Sequence, residues 1–504
     1  MPSSASTANQ RVVVVGGGIG GLTAAALLAN QEGYEVTVFD QGHVPGGCAS
    51  TFKRRGFTFD VGATQVAGLE PGGIHHQIFT ALDLPLPEAT PCDPACAVYL
   101  PGETEPIAIW RDPDRWQAER QRQFPGSEPF WQLLKTLFQA SWRFQGRDPV
   151  LPPRNLWDLG QLVTALRPDT LITAPFTFST VGQILKLMGL YGNRRLKTFL
   201  DLQLKLYSQV NADETALLYA ATALGVSQAP LGLWHLKGSM QVLSDRLVAA
   251  LRRDGGKILT RHTVERIHLY QGQPTGVTVR NQKTGQIWTE PADQVVANVT
   301  VQNLVKLLGE QVPVGYRQRV SQFPNASGAF VVYLGVDQAA IPPDCPPHLQ
   351  FLYDYDGPIG ENNSLFVSVS RPGDGRAPEG QATIIASSFV DLQPWQETDD
   401  YPALKQRYTD EAIAKLGQFF DLRPEHLIHI EAGTPRTFEH FTGRDRGAVG
   451  GLGMRVNSFG PFGFANRTPI SGLWLVGDCT HPGEGTAGVS YSAQTVVRQM
   501  TAEA

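Results

Sequence analysis

The chain has 504 residues and a formal net charge of −5, from 42 Lys and Arg against 47 Asp and Glu. That balance leaves no cationic excess to neutralise a phosphate backbone, so no nucleic-acid partner is expected. Charged residues make up only 18%, with 52 Gly and 36 Pro, the composition of a loop-rich globular enzyme with a large core and not of a disordered chain. Cys48, Cys92, Cys96, Cys345 and Cys479 are odd in number and scattered, which points to a reducing compartment without a disulfide framework. Cys92 and Cys96 stand without a second pair or a histidine cluster, so no metal site is expected. Glycines interrupt the uncharged run from Val12 to Ala29, and no stretch elsewhere is long and apolar enough to span a bilayer as a helix.

In chain order, the first element is a buried strand (Val12–Val15), a glycine turn and a helix. The turn contains G-x-G-x-x-G at Gly16, Gly18 and Gly21, with Gly20 beside it. Gly16 permits the tight turn, Gly18 admits a pyrophosphate to the backbone, and Gly21 lets the helix lie against the strand. The helix N-terminus then faces the phosphates. The strand Glu35–Asp40 ends on a carboxylate 19 residues after Gly21, close to the ~20 expected of a group that accepts from ribose hydroxyls. His75 and His76 lack the i, i+4 spacing of a helical metal pair and are left unassigned. Lys53, Arg54 and Arg55 read as a solvated basic turn.

Ser127 is expected to cap a helix whose apolar face runs through Phe130, Leu133, Leu134, Leu137 and Phe138. The uncharged run from Thr170 to Gln183 carries Leu171, Ile172, Phe176, Phe178 and Val181 and continues through Ile184, Leu185, Leu187 and Met188, with Arg167, Lys186, Arg194, Arg195 and Lys197 around it. Such a segment is either a helical core or an apolar face that rests in a bilayer interface. An amphipathic helix follows Lys237, then strands at 257–260, 264–267, 276–279 and 293–298. Further strands are read at 329–334, 365–369 and 382–386. No second dinucleotide fingerprint occurs, which disfavours a bound NADPH with its own site. Near the C-terminus a strand runs out into Gly477-Asp478, and Gly485 to Ala493 opens the last helix. NAD and FAD both fit the first unit, but a carboxylate at Asp478 can accept from a ribitol hydroxyl, which a nicotinamide dinucleotide lacks. The N–H groups near Gly488 and Val489, at the positive end of a helix, can stabilise negative charge on a reduced isoalloxazine.

These motifs, together with Pro45-Gly46-Gly47, Phe59-Asp60-Val61-Gly62-Ala63-Thr64 and His481-Pro-Gly-Glu-Gly485, resemble the phytoene desaturase and carotenoid isomerase family of FAD enzymes. Within the family the similarity is greatest to the cyanobacterial branch that desaturates the 3',4' bond of an acyclic carotenoid end group. The resemblance runs from about Arg11 to the C-terminus. It implies an α/β fold with a Rossmann-like FAD-binding domain of the amine oxidase type, an inserted mixed-sheet substrate domain and a helical membrane-associating subdomain. The expected division is 11–80, 235–300 and 466–504 for FAD, 81–234 for the helical region and 301–465 for the substrate sheet. It also implies cofactor contacts from Gly46, Gly47, Gly62 and Ala63, and main-chain contacts from Val264 to the adenine. Many desaturases of the family carry Arg after the paired glycines, where Cys48 stands here, as small residues do in the isomerase branch.

With no metal constellation or nucleophilic triad, the flavin must carry the difficult step. His481 and Glu484, between Asp478 and the last helix, are the candidates for proton movement. The expected substrate is a carotenoid, the electron acceptor a quinone or dioxygen, and the location cytoplasmic with peripheral membrane contact; the oligomeric state is open. The competing readings are a carotenoid cis–trans isomerase using reduced FAD, an amine oxidase of the same fold, and a non-enzymatic isoprenoid-binding escort protein, against which the intact Gly16, Asp40 and Asp478 set argues.

Overall fold

A computed structural model describes residues 9–323 and 327–503. At its centre is a five-stranded parallel sheet built from three distant stretches of chain, in the order Leu473–Leu475, Gln294–Ala297, Gln10–Val15 (β1), Tyr34–Asp40 (β2) and Lys257–Thr260. The four valines of β1 are all buried, and the reason is the two-residue period of a strand. Val12 and Val14 face the helices Ile19–Ala29 (α1), Gln241–Arg253 and Gly485–Thr501, whereas Val13 and Val15 face Val264, Ile267, Val277 and Val279 of a three-stranded antiparallel sheet. A sheet covered on both sides shows no polar alternation.

The second sheet has seven strands, in the order Leu427–Gly433, Gly328–Asp337, Gln381–Val390, Ser364–Val369, His348–Leu352, Cys96–Tyr99 and Ile107–Ile109. It is mixed, because His348–Leu352 runs parallel to Cys96–Tyr99 while the other pairs are antiparallel. Phe330, Val332 and Leu334 pack toward Trp395, Ala412 and Leu416, and the alternating Ala329, Val331 and Tyr333 face a large cavity. The last two strands correct the reading of 81–234 as helical. They lie among prolines and are only four and three residues long, too short for a periodicity to show, and only the sheet edge they complete makes them strands.

Three helices, Glu128–Gln145, Arg194–Ser208 and Leu217–Gly225, roof the cavity opposite this sheet around a core that contains Phe130, Leu134, Leu137, Phe199 and Leu217. Ser127 does not cap the first of them with its side chain. Its hydroxyl donates to the Phe124 carbonyl at 2.7 Å and accepts from Trp131 Nε1 at 3.1 Å. Among the described residues no helix is long and apolar enough to cross a membrane.

Candidate functional site

The carboxyl ends of the parallel strands open into a cavity of about 1700 Å³ that continues beneath the seven-stranded sheet. Gly16, Gly18, Gly20, Asp40, Gly46, Gly47, Gly62, Ala63, Gly477, Asp478, Gly488 and Val489 all stand on its wall, as do His481 and Glu484. Gly21 and Val264 do not. Gly21 acts through packing, since a Cβ there would lie 2.1 Å from the Gly16 carbonyl oxygen. The Val264 side chain packs with Val13, Val15 and Phe39, which leaves its main-chain groups as the ones expected at the adenine.

The turn after β1 is shaped by contacts that no local pattern contains. Gly16 has φ +96°, open to glycine at little cost, and Asn298 Nδ2 donates to its carbonyl at 3.2 Å. Asp40 accepts from the backbone N–H of Gly17 and of Gly42, each at 2.5 Å. Burial raises the Asp40 carboxyl above its ordinary range, and these two N–H groups oppose the rise. The carboxylate therefore ties the end of β2 to the glycine turn while standing on the cavity wall. At the other end of the chain, Gly477 N–H donates to Ser492 Oγ at 3.1 Å. Asn466 Nδ2 reaches both the Leu475 carbonyl and Ser492 Oγ at 2.9 Å. The two glycine-led helices, α1 and Gly485–Thr501, pack together in one core and both open on the cavity.

This arrangement fits FAD. Two strand–turn–helix units present N–H groups and positive helix ends to one continuous space, with a carboxylate, Asp40 or Asp478, on the wall at each unit. For Gly21→Ala we expect the Cβ to push the helix off the turn, a strain of about 1–3 kcal/mol. Purified variant should have lost most of its bound flavin, read from the absorbance ratio of flavin to protein.

Beyond the glycine turns the wall becomes apolar, with Leu202, Leu206, Leu233, Phe366 and Phe389. Where the two regions meet lies a small polar group. Glu484 Oε2 accepts from Gln209 Nε2 at 3.1 Å, and Glu484 Oε1 is buried without a hydrogen-bond partner. Burial first, and the negative charge of Asp478 second, push the Glu484 carboxyl up to about 8, against the Gly451 N–H and Gln209. His481 Nε2 lies 2.9 Å from Gln145 Oε1, and burial depresses the ring to about 4, so it is neutral at physiological pH. His75 is off the cavity wall, buried, with Nε2 3.4 Å from Thr486 Oγ1 and likewise depressed to about 4 by burial. The Lys53–Arg55 segment read as a turn is instead the end of the strand Thr51–Arg54, with only Arg55 in the turn, and its exposed Lys53 and Arg54 reach the cavity wall, whereas His76 does not.

Four wall residues were not singled out from sequence. Asn298 holds the glycine turn, Gln209 sits in the left-handed region at φ 65° and orients Glu484, Gln145 fixes His481, and Arg444 pairs with Asp478 at 2.8 Å. None belongs to a motif, and each becomes visible only through its partner, 34 residues away for Arg444 and more than 250 for the other three.

The cavity wall also includes Leu162, Leu166, Leu171 and Ala174. Around them is a set of exposed apolar side chains: Leu156 (87% exposed), Leu159, Val163, Leu171, Ile172, Phe178 (69%), Leu187 (81%) and Met188. Val181, Ile184 and Leu185 of the run read from sequence are buried instead, and the helix Leu156–Ala165 adds apolar surface that was not expected. Of the charges expected to meet lipid headgroups, Lys186, Arg194, Arg195 and Lys197 are engaged by Asp213, Asp356, Glu103 and Asp201 respectively, and Arg167 stays exposed.

A sequence profile for NAD(P)-binding Rossmann-like domains matches residues 14–82. Prolycopene isomerase 2 of an Oncidium hybrid cultivar is 27% identical over 97% of this chain and 84% of its own length. The zeta-carotene-forming phytoene desaturase of Myxococcus xanthus is 25% identical over 99% of this chain and 95% of its own. Over nearly its whole length the chain is thus similar to carotenoid isomerases and desaturases alike. Putrescine oxidase, at 14% identity, superposes with a TM-score of 0.64 over 98% of this chain and 99% of its own, so the two share a fold. These likenesses, with two glycine turns and their carboxylates on one cavity, support an FAD-dependent enzyme.

Proposed function

We propose that the protein is an FAD-dependent carotenoid desaturase that introduces a double bond, at C-3',4', into an acyclic end group. The observation that carries the reading is the single cavity that joins the glycine turns of the cofactor site to an apolar channel and then to an exposed apolar rim. A long hydrocarbon gains its binding energy from such walls. FAD, held by the glycine turns with Asp40 and Asp478, would supply hydride acceptance when bound, with a quinone or dioxygen as the expected final electron acceptor. The chain's own part is to hold the polyene against the cofactor, exclude water, and receive the proton lost from the neighbouring carbon. Glu484, with its unpartnered Oε1 between the channel and Asp478, is the group placed for that proton.

One observation favours a second reading, a carotenoid cis–trans isomerase. A carboxyl that keeps its proton up to about pH 8 is an acid at neutral pH, suited to protonating a polyene and taking the proton back. Incubation of FAD-loaded protein with acyclic carotenoids in liposomes, with a quinone or oxygen, separates the two. Loss of two hydrogens with a red-shifted spectrum supports desaturation. Unchanged mass with a new geometric isomer, formed only when the flavin is reduced, replaces it by isomerisation.

The rim that surrounds the channel would seat this cytoplasmic protein peripherally on a membrane, so that the polyene enters without crossing water. Because four of the five nearby cations are paired and only Arg167 is left exposed, attachment would rest mainly on apolar burial. The double variant Leu156→Ser/Phe178→Ser should float with neutral liposomes several-fold less than the wild type at unchanged flavin content. Equal flotation would remove the membrane contact from the proposal.

A further inference from the structure

Arg444 follows Gly443, whose φ of +69° ends the helix Pro435–Thr442, and both residues stand on the cavity wall with Gly477 and Asp478. The guanidinium is held by three acceptors. Nη2 lies 2.8 Å from Asp478 Oδ2, Nε donates to the Ala448 carbonyl at 2.6 Å, and Nη2 also reaches the Gly450 carbonyl. Burial by itself would make this cation easier to discharge, but Asp478 outweighs it and the pKa is raised. The field of Arg444 is felt at Cys48 and at Glu484 as well. The other cations on the wall are placed differently: Lys53 and Arg54 end the strand Thr51–Arg54 with exposed side chains, Arg54 pairing with Glu431 at 3.2 Å, and Lys205 donates to the Gln209 carbonyl at 3.0 Å. A buried ion pair adds little stability over an apolar pair of the same volume. Its position between the Gly47-Cys48 turn and the Asp478 turn therefore bears on what occupies the cavity.

We infer that Arg444 is a positioning residue for the flavin: it fixes the Asp478 carboxylate against the cofactor and supplies the guanidinium that favours the reduced, negatively charged form. Position 48, which the Gly46-Gly47 turn brings to the same place, carries a neutral thiol; burial raises its pKa, so it offers no charge of its own. The inference rests on FAD occupying this cavity.

The test uses holoprotein of the wild type, R444K, R444M and D478N, with FAD content, FAD affinity on reconstitution and midpoint potential by equilibration with a reference dye. R444K should stay within about threefold of the wild type in FAD affinity and keep its potential. R444M should lose at least about tenfold in affinity, with the reduced flavin bound at least tenfold less favourably than the oxidised, which is a fall of about 30 mV for a two-electron couple. D478N, which leaves the guanidinium uncompensated, should move the potential in the opposite direction and keeps the test decisive should R444M fail to fold. Wild-type protein that binds FAD while R444M retains the wild-type potential, or a D478N shift of the same sign as R444M, overturns the inference and leaves Arg444 as an anchor for residues 444–450. Wild-type protein that binds no FAD removes the cofactor assignment and this inference together.

Discussion

Arg376→Met is expected to destabilise the protein by about 3–5 kcal/mol, the range for removing one partner from a buried ion pair. The guanidinium is 3% exposed and lies 3.1 Å from Asp60 Oδ2 and 3.3 Å from Asp374 Oδ2, while donating to the Leu236 carbonyl at 2.6 Å. Asp60 is 1% exposed and also accepts from Met240 N–H at 2.8 Å and Thr51 Oγ1 at 3.1 Å. His235 Nε2 lies 2.9 Å from Asp374 Oδ2. One side chain thus joins the strand Phe57–Asp60, the start of the helix Gln241–Arg253 and the loop 371–376. Methionine fills comparable volume but leaves two carboxylates buried without their cation. Chemical denaturation followed by tryptophan fluorescence gives the difference. A loss below about 1 kcal/mol would show that water or rearrangement satisfies both carboxylates.

Glu484→Gln should lower turnover by ~10²-fold or more, the usual contribution of a positioned proton-transfer group, with FAD content preserved because the Gln209 contact survives in either amide orientation. The pH profile decides which role is lost. A desaturase needs Glu484 ionised to receive a proton, so its rate should rise as pH climbs through about 8. An isomerase needs it protonated, so its rate should fall over the same interval. In both cases the titration vanishes in the Gln variant. Stability carries a separate sign. A carboxyl whose folded pKa is raised contributes stability that is complete below its ordinary value of 4.5 and is lost as pH rises through about 8. The wild type should therefore lose stability relative to Glu484→Gln across that window. Equal melting temperatures for the two proteins at pH 5 and at pH 9 would argue that Glu484 is hydrated and titrates normally.

The cofactor unit was legible because its signals are local. Gly16, Gly18, Gly21 and Asp40 lie within one strand–turn–helix–strand, and each glycine has a steric reason that a single short stretch reveals. The second unit, Gly477-Asp478 and Gly488, has the same local logic. The strands at 329–334, 365–369 and 382–386 were equally readable, because apolar β-branched runs announce a sheet wherever it stands. Val264 shows the limit of this: its side chain packs behind β1, and a buried strand valine looks the same in sequence whether or not its main chain meets a nucleotide.

What the tertiary structure alone decided are the pairings across long stretches of chain. Arg444 with Asp478, Gln209 with Glu484, Gln145 with His481, Asn298 with Gly16, and Arg376 with Asp60 join residue types that are individually common in loops and helices. Their meaning is set by desolvation, since a charge or amide matters only once it is removed from water beside a partner, and that depends on segments 34 residues apart for Arg444 and Asp478 and hundreds apart for the other pairs. The same holds for the apolar run at 171–188, where the fold buried Val181, Ile184 and Leu185 and left Leu171, Phe178 and Leu187 exposed. Local glycine and strand chemistry determined the cofactor fold, and burial by distant segments determined the charges that work on it.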